Sequence, residues 1–223
     1  MTSSLSGKTV IVIGGSSGIG AAVAKAASAR GAHVVLAGRR LTSGVENAVR
    51  SEPVDVTDSA SLQRLFETVG RFDHLVFTSG PSVRAKPLVE TDLDEAQDNF
   101  SVKLWGALRA IQQALPFLAE HGSISLTSGQ LGRKLMAGQF IKTGINAATE
   151  ALGKQLAKEL APRRVNVISP GVIDTPAYAG LAEEQRLAMF AKAGTALPVG
   201  RVGKADEVAA GYVCLLYTSD AAD

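Results

Sequence analysis

Gly14, Gly18 and Gly20 stand between a β-branched run, Thr9-Val10-Ile11-Val12-Ile13, and an alanine-rich helical pattern that begins at Ile19. A turn without side chains lets a phosphate reach the backbone, where free N–H groups and the positive end of a helix dipole face it. Gly14 suits the sharp turn, Gly18 the close approach and Gly20 the packing of helix on strand. The spacing Gly-x-x-x-Gly-x-Gly differs from the commoner Gly-x-Gly-x-x-Gly, but the mechanics are the same. Gly14-Gly15-Ser16-Ser17-Gly18 also fits the Gly-x-Ser-x-Gly turn of a serine nucleophile. That chemistry needs a histidine at the same end of the sheet. His33, His74 and His121 stand at or just before the beginnings of their strands. Ligands of open parallel sheets bind beyond the carboxyl ends, so the nucleophile reading fails.

The elements that must position these residues follow from periodicity. Strand patterns occur at 9–13, 33–37, 73–78, 123–127 and 165–168, with a minimal one near Val54. Helical patterns lie at 19–30, 59–69, 93–119 and 139–160. Pro116 bends or closes the third of these. In the fourth, Ile141, Ile145, Ala148, Leu152, Leu156 and Leu160 form an apolar stripe with Lys142 beside its first turn. The alternation predicts an α/β fold: a parallel sheet covered by helices on both faces. The stretch 170–200, with three prolines and a short helix at 183–192, reads as a lid after the sixth strand.

A chain of 223 residues with 46% hydrophobic and 20% charged residues fits one soluble domain. A net charge of +2 gives no reason to expect nucleic acid or a membrane surface as partner. The first seven residues lack a signal-peptide core, and no apolar run approaches membrane-spanning length. One cysteine, Cys214, excludes an intrachain disulfide and a cysteine-based metal site; no metal is expected, and a cytoplasmic location is. Residues 214–223 resemble the translated end of a sequencing-library adapter, which sets the domain at 1–213 and leaves the architecture short of a final strand.

With these motifs in order, the chain resembles the short-chain dehydrogenase/reductase family over residues 5–213. The resemblance rests on Gly14-x-x-x-Gly18-x-Gly20, Asp55-Val56 after the third strand, and the strand ending in Ser128. Lys142 on the next helix and Pro170-Gly171-Val172-Ile173-Asp174-Thr175 complete it. It implies a Rossmann-type, doubly wound sheet and a nicotinamide dinucleotide bound along Gly14, Ser16, Ser17, Gly18, Ile19 and Gly20. Asp55 and Val56 would meet the adenine, Ser79 and Gly80 would line the cofactor after the fourth strand, and Lys142 would hold its ribose. Pro170, Gly171, Ile173 and Thr175 would frame the nicotinamide and neighbouring phosphate. Arg39 and Arg40 follow the second strand, where an acid commonly accepts the ribose hydroxyls of NAD. Guanidinium groups there favour a 2′-phosphate, so NADP(H) is expected over NAD(H).

Family members usually carry Tyr-x-x-x-Lys on the helix after the serine strand. With Lys142 as that lysine, the tyrosine position is Gly138, and the assisting asparagine of the long helix becomes Lys103. Ser128, Lys142 and Lys103 are therefore the candidate catalytic residues, and a desolvated Lys103 can titrate near neutrality. Two readings stay open. One is an NADP(H)-dependent oxidoreductase of a small carbonyl or alcohol with a non-standard proton donor. The other is a dinucleotide-binding redox sensor or regulator without turnover. By the same resemblance the chain is expected to form a homo-oligomer through its long helix, where Leu104, Trp105 and Leu108 suit an apolar contact.

Overall fold

The structure, a computed structural model, describes residues 5–39, 50–81 and 83–217. The chain begins β1 (Thr9–Ile13), α1 (Gly18–Ser28), β2 (His33–Gly38), β3 (Arg50–Pro53), α2 (Ser59–Val69) and β4 (Phe72–Phe77). One continuous helical stretch follows: α3 (Leu93–Phe100), a π-turn over Ser101–Trp105, and α4 (Gly106–Ala114). Then come β5 (Leu118–Thr127), α5 (Phe140–Glu159), β6 (Arg164–Ile168), β7 (Ile173–Asp174), α6 (Glu183–Thr195), β8 (Gly203–Lys204) and α7 (Ala205–Tyr217).

β1 is central because its β-branched residues can be covered on both faces. Val10 and Val12 face one core, with the alanines of α1 and with Tyr212, Val213 and Leu216 of α7. Ile11 and Ile13 face the other, with Leu62 and Phe66 of α2 and Ala110 and Ile111 of α4. This is the two-residue alternation of a strand read by two helical layers. The six parallel strands run in the order β3-β2-β1-β4-β5-β6. The order reverses between β1 and β4, which opens a crevice at the carboxyl edge. Register aligns that edge: Ile13 pairs with Ala37 and Phe77, Phe77 with Leu126, and Thr127 with Ile168.

The predicted doubly wound α/β fold is therefore present, with some changed boundaries. The helix expected over 93–119 stops at Ala114, and Leu118 already pairs with Phe72 as the start of β5. Pro116, without an N–H, lies just past that end. The third strand precedes Val54, whose side chain is buried in the core. The excursion after β6 is tied at its base, because β7 pairs with β8, and Tyr178 packs edge-on to Phe190 at 5.3 Å. α7 runs through Cys214 to Tyr217, so residues 214–217, expected to lie outside the domain, continue its last helix. Leu216 is buried there, and the Leu215 and Leu216 carbonyls accept from Arg164.

Candidate active site

The glycine turn after β1 needs its glycines for contacts within the protein. Gly14 has φ +86°, and a Cβ on it would lie 2.6 Å from the Ser79 amide nitrogen. A Cβ on Gly20 would lie 2.3 Å from the Gly14 carbonyl oxygen. Gly18, with φ +55°, faces Thr175. Ser17, the residue before α1, caps no amide with its side chain, and the first turn of α1 holds no acid. The helix terminus thus presents amides and dipole with no internal anion, and these residues fit a pyrophosphate. Ser16 and Ser17 are exposed at the same turn.

Arg39 is exposed directly after β2; Arg40 lies outside the described residues. Asp55 accepts from the Thr57 hydroxyl at 2.7 Å and the Thr57 amide at 2.9 Å, bonds that hold its carboxyl below the usual range. The Val56 side chain is in the core, against the spot where a Cβ on Gly106 would sit. Ser79 abuts Gly14, and Gly80 lies beside the Lys103 stem.

Between the glycine turn, β5, α5 and the base of the lid lies a cavity of about 280 Å³. Ile19, Ser128, Lys103, Lys142, Pro170, Gly171, Ile173 and Thr175 all line it, so the edge of the sheet brings together the three candidate catalytic residues and part of the expected cofactor frame. Asn146 and Tyr178 line it too. Lys103 reaches the cavity from the π-turn, a local irregularity that aims one side chain differently from an α-helix. Its ammonium donates to Asn146 Oδ1 at 2.8 Å and to the Ser128 carbonyl at 3.2 Å. Burial first, and the neighbouring Lys142 charge second, lower its pKa to about 8. Burial also lowers that of Lys142. The Lys142 ammonium makes no hydrogen bond or ion pair with any described residue.

Asn146 and Glu150 had no place in the sequence reading. They extend Lys142 into a row at i, i+4 and i+8 on one side of α5. The Ser128 hydroxyl has one proton to give, to the Asn146 carbonyl at 3.1 Å or to Glu150 Oε1 at 3.0 Å. Glu150 also accepts from Ser169 at 3.0 Å and from Arg133 at 2.7 Å, bonds that outweigh burial and keep its pKa low. Gly129 makes room for the row, because a Cβ there would lie 2.9 Å from Asn146 Nδ2. The detectable signal was the spacing of three polar residues beside an apolar stripe. The stripe itself is shifted from the expected line: Ile141, Ile145, Thr149 and Gly153 are buried, and Ala148 and Leu152 only partly so.

His74 lies at the opposite edge, its Nδ1 2.9 Å from Ser123 Oγ, both buried. The described residues hold no cluster of three or more metal-ligating side chains, and no helix among them is long and apolar enough to cross a membrane.

A family model described as Enoyl-(Acyl carrier protein) reductase matches residues 13–223. An uncharacterised oxidoreductase of Methylorubrum extorquens is 35% identical, over 98% of this chain and 94% of its own length. The chain belongs to the short-chain dehydrogenase/reductase family. Carbonyl reductase family member 4 of Danio rerio is 31% identical over 94% of this chain and 91% of its own. A small-chain dehydrogenase crystallised in complex with NADPH superposes with a TM-score of 0.84 at 39% identity, covering 95% of this chain and 91% of that one.

For a short-chain dehydrogenase/reductase, Gly138 is a poor place to seek a tyrosine equivalent. It precedes α5 with φ +74°, and a Cβ on it would face the Lys86 main chain, not the cavity. The pair one helical turn apart that does line the cavity is Lys142 and Asn146.

Proposed function

We propose that this protein is an NADP(H)-dependent oxidoreductase acting on a small carbonyl or alcohol, with Lys142 as its proton donor. The observation that carries the reading is the shared cavity of Pro170, Gly171, Ile173 and Thr175 with Lys103, Ser128 and Lys142. Arg39 after β2, the relative crystallised with NADPH and the relative named as a carbonyl reductase support the choice of cofactor and substrate. Arg40 belongs to the same proposal. In this reading Gly14, Ser16, Ser17, Gly18, Ile19 and Gly20 hold the pyrophosphate, Asp55 and the Val56 main chain meet the adenine, and Ser79 and Gly80 flank the bound molecule.

Lys142-x-x-x-Asn146 repeats the one-turn spacing of the family's Tyr-x-x-x-Lys, and Lys103 stands where the long helix usually has asparagine. Ammonium and amide have traded places across the site, and they keep contact through the bond from Lys103 to Asn146. A reduced nicotinamide supplies the hydride. Lys142, unbonded to any described residue and lowered by burial, can release a proton to the developing alkoxide and take one back from water. Lys103 keeps Asn146 in place and adds positive charge beside the carbonyl oxygen. Ser128 steadies the row from beneath, since its own proton goes to Asn146 or Glu150. That engagement also favours the second reading, a binder without turnover.

Titration of nicotinamide fluorescence with NADPH and NADH tests the cofactor, and tighter NADPH binding is expected. NADPH oxidation against a panel of aldehydes and ketones tests turnover. Tight binding with no oxidation across the panel moves the conclusion to the sensor.

A further inference from the structure

The cavity wall is unbalanced in charge. Two ammonium groups line it, Lys103 from the π-turn and Lys142 from α5, and no carboxylate among the described residues does. The nearest acid in the bonding network, Glu150, is turned to Ser128, Ser169 and Arg133. At the lid base Asp174 lies 3.9 Å from Arg186. Among the described residues Lys103 has only neutral acceptors, the Asn146 amide and the Ser128 carbonyl. The Lys142 ammonium has none among them. Each charge makes the other harder to keep, as the effect of Lys142 on Lys103 shows. Two half-buried like charges without a counter-ion are costly, and a ligand that brings negative charge relieves them both. The pyrophosphate of a dinucleotide is provided for separately, by the uncapped terminus of α1.

We propose that the substrate of this cavity is a small oxo acid, a carbonyl compound whose carboxylate sits against the Lys103 and Lys142 ammonium groups, or the corresponding hydroxy acid. The inference rests on the oxidoreductase reading above. In the reductive direction the carbonyl carbon receives a hydride from NADPH, and the π pair of the C=O bond moves to oxygen. That oxygen takes a proton from the Lys142 ammonium, which recovers it from water, and the carboxylate is unchanged. The products are the hydroxy acid and NADP⁺.

Binding of oxamate, a stable oxo-acid mimic, to the protein already saturated with NADPH tests this, with nicotinamide fluorescence as the readout. Its neutral counterpart oxamide is the control. Oxamate is expected to bind at least about tenfold more tightly than oxamide, the worth of one charge-assisted hydrogen bond. Lys142→Gln and Lys103→Met, each saturated with NADPH, are expected to lose that preference, and Lys142→Arg to retain much of it. Equal affinity for oxamate and oxamide, or no binding of either to the NADPH complex, overturns the proposal while leaving the cofactor assignment intact. A preference that survives in both Lys142→Gln and Lys103→Met overturns it too. Absence of NADPH binding in the first step instead overturns the oxidoreductase reading, and this inference falls with it.

Discussion

Half-buried Lys142 and buried His74 are both cations in prospect, and the fold treats them differently. Lys142 faces a cavity that water or a charged ligand can enter, and burial lowers its pKa. Replacing it with glutamine should reduce NADPH-dependent carbonyl reduction by about 10²–10⁴-fold, the usual worth of a general acid. In the unmodified protein, reduction should fall on the alkaline side at a pH below the ordinary lysine value, as a pH–rate profile would record. His74 has no such outlet. Burial, opposed by Asp73 and aided by Arg164 and Lys8, lowers its pKa to about 4. The unfolded chain binds that proton from about pH 6.5 downward, whereas the folded chain does so only near 4. Stability from this residue is therefore complete above about 6.5 and is lost as pH falls toward 4. Urea midpoints measured between pH 7 and 4.5 should drop less in His74→Asn than in the parent protein.

Among the elements, α1 and the long helix carry the site by opposite means. α1 starts regularly and works through what it lacks: side chains at Gly14 and Gly20, and a capping group at Ser17. Gly20→Ala would push a methyl group to 2.3 Å from the Gly14 carbonyl, which must move. Loss of NADPH binding and a clear fall in melting temperature are expected. The same change at Gly211, inside α7 with open space around its Cα, should stabilise by about 0.5–1 kcal/mol in a denaturant titration. The long helix works through an irregularity. Its π-turn puts Lys103 toward Asn146 and leaves the adjoining Gly106 against Val56, where a Cβ would come within 2.9 Å.

At the scale of the whole molecule, the aligned strand ends make one edge of the sheet the place where chemistry can happen, and the two-stranded clasp of β7 and β8 holds the lid's base beside it. The outer side of the long helix is less covered, and Trp105 is 53% exposed there. An indole that open on a helix next to half-buried Leu104 and Leu108 favours pairing with a second copy of the chain. Light scattering should give at least a dimer, and Trp105→Glu should shift it toward monomer. A monomeric parent protein would remove that expectation.

The amino-acid sequence alone determined the parallel α/β sheet and the glycine turn after β1, because the signals of both are local. β-branched runs, a glycine-rich break and a periodic helix each declare themselves within a dozen residues. It also named Ser128, Lys103 and Lys142, which do share a cavity. Which way those side chains bond was a tertiary matter. The approach of Lys103 to Asn146 joins residues 43 positions apart, and it depends on a π-turn for which the sequence carries no pattern. Ser128 found its partners on α5 only because β5 and that helix pack side by side. Gly138, which spacing alone set at the family's tyrosine position, lies before α5 against the Lys86 main chain, since spacing along a chain does not say where a helix begins to face its pocket.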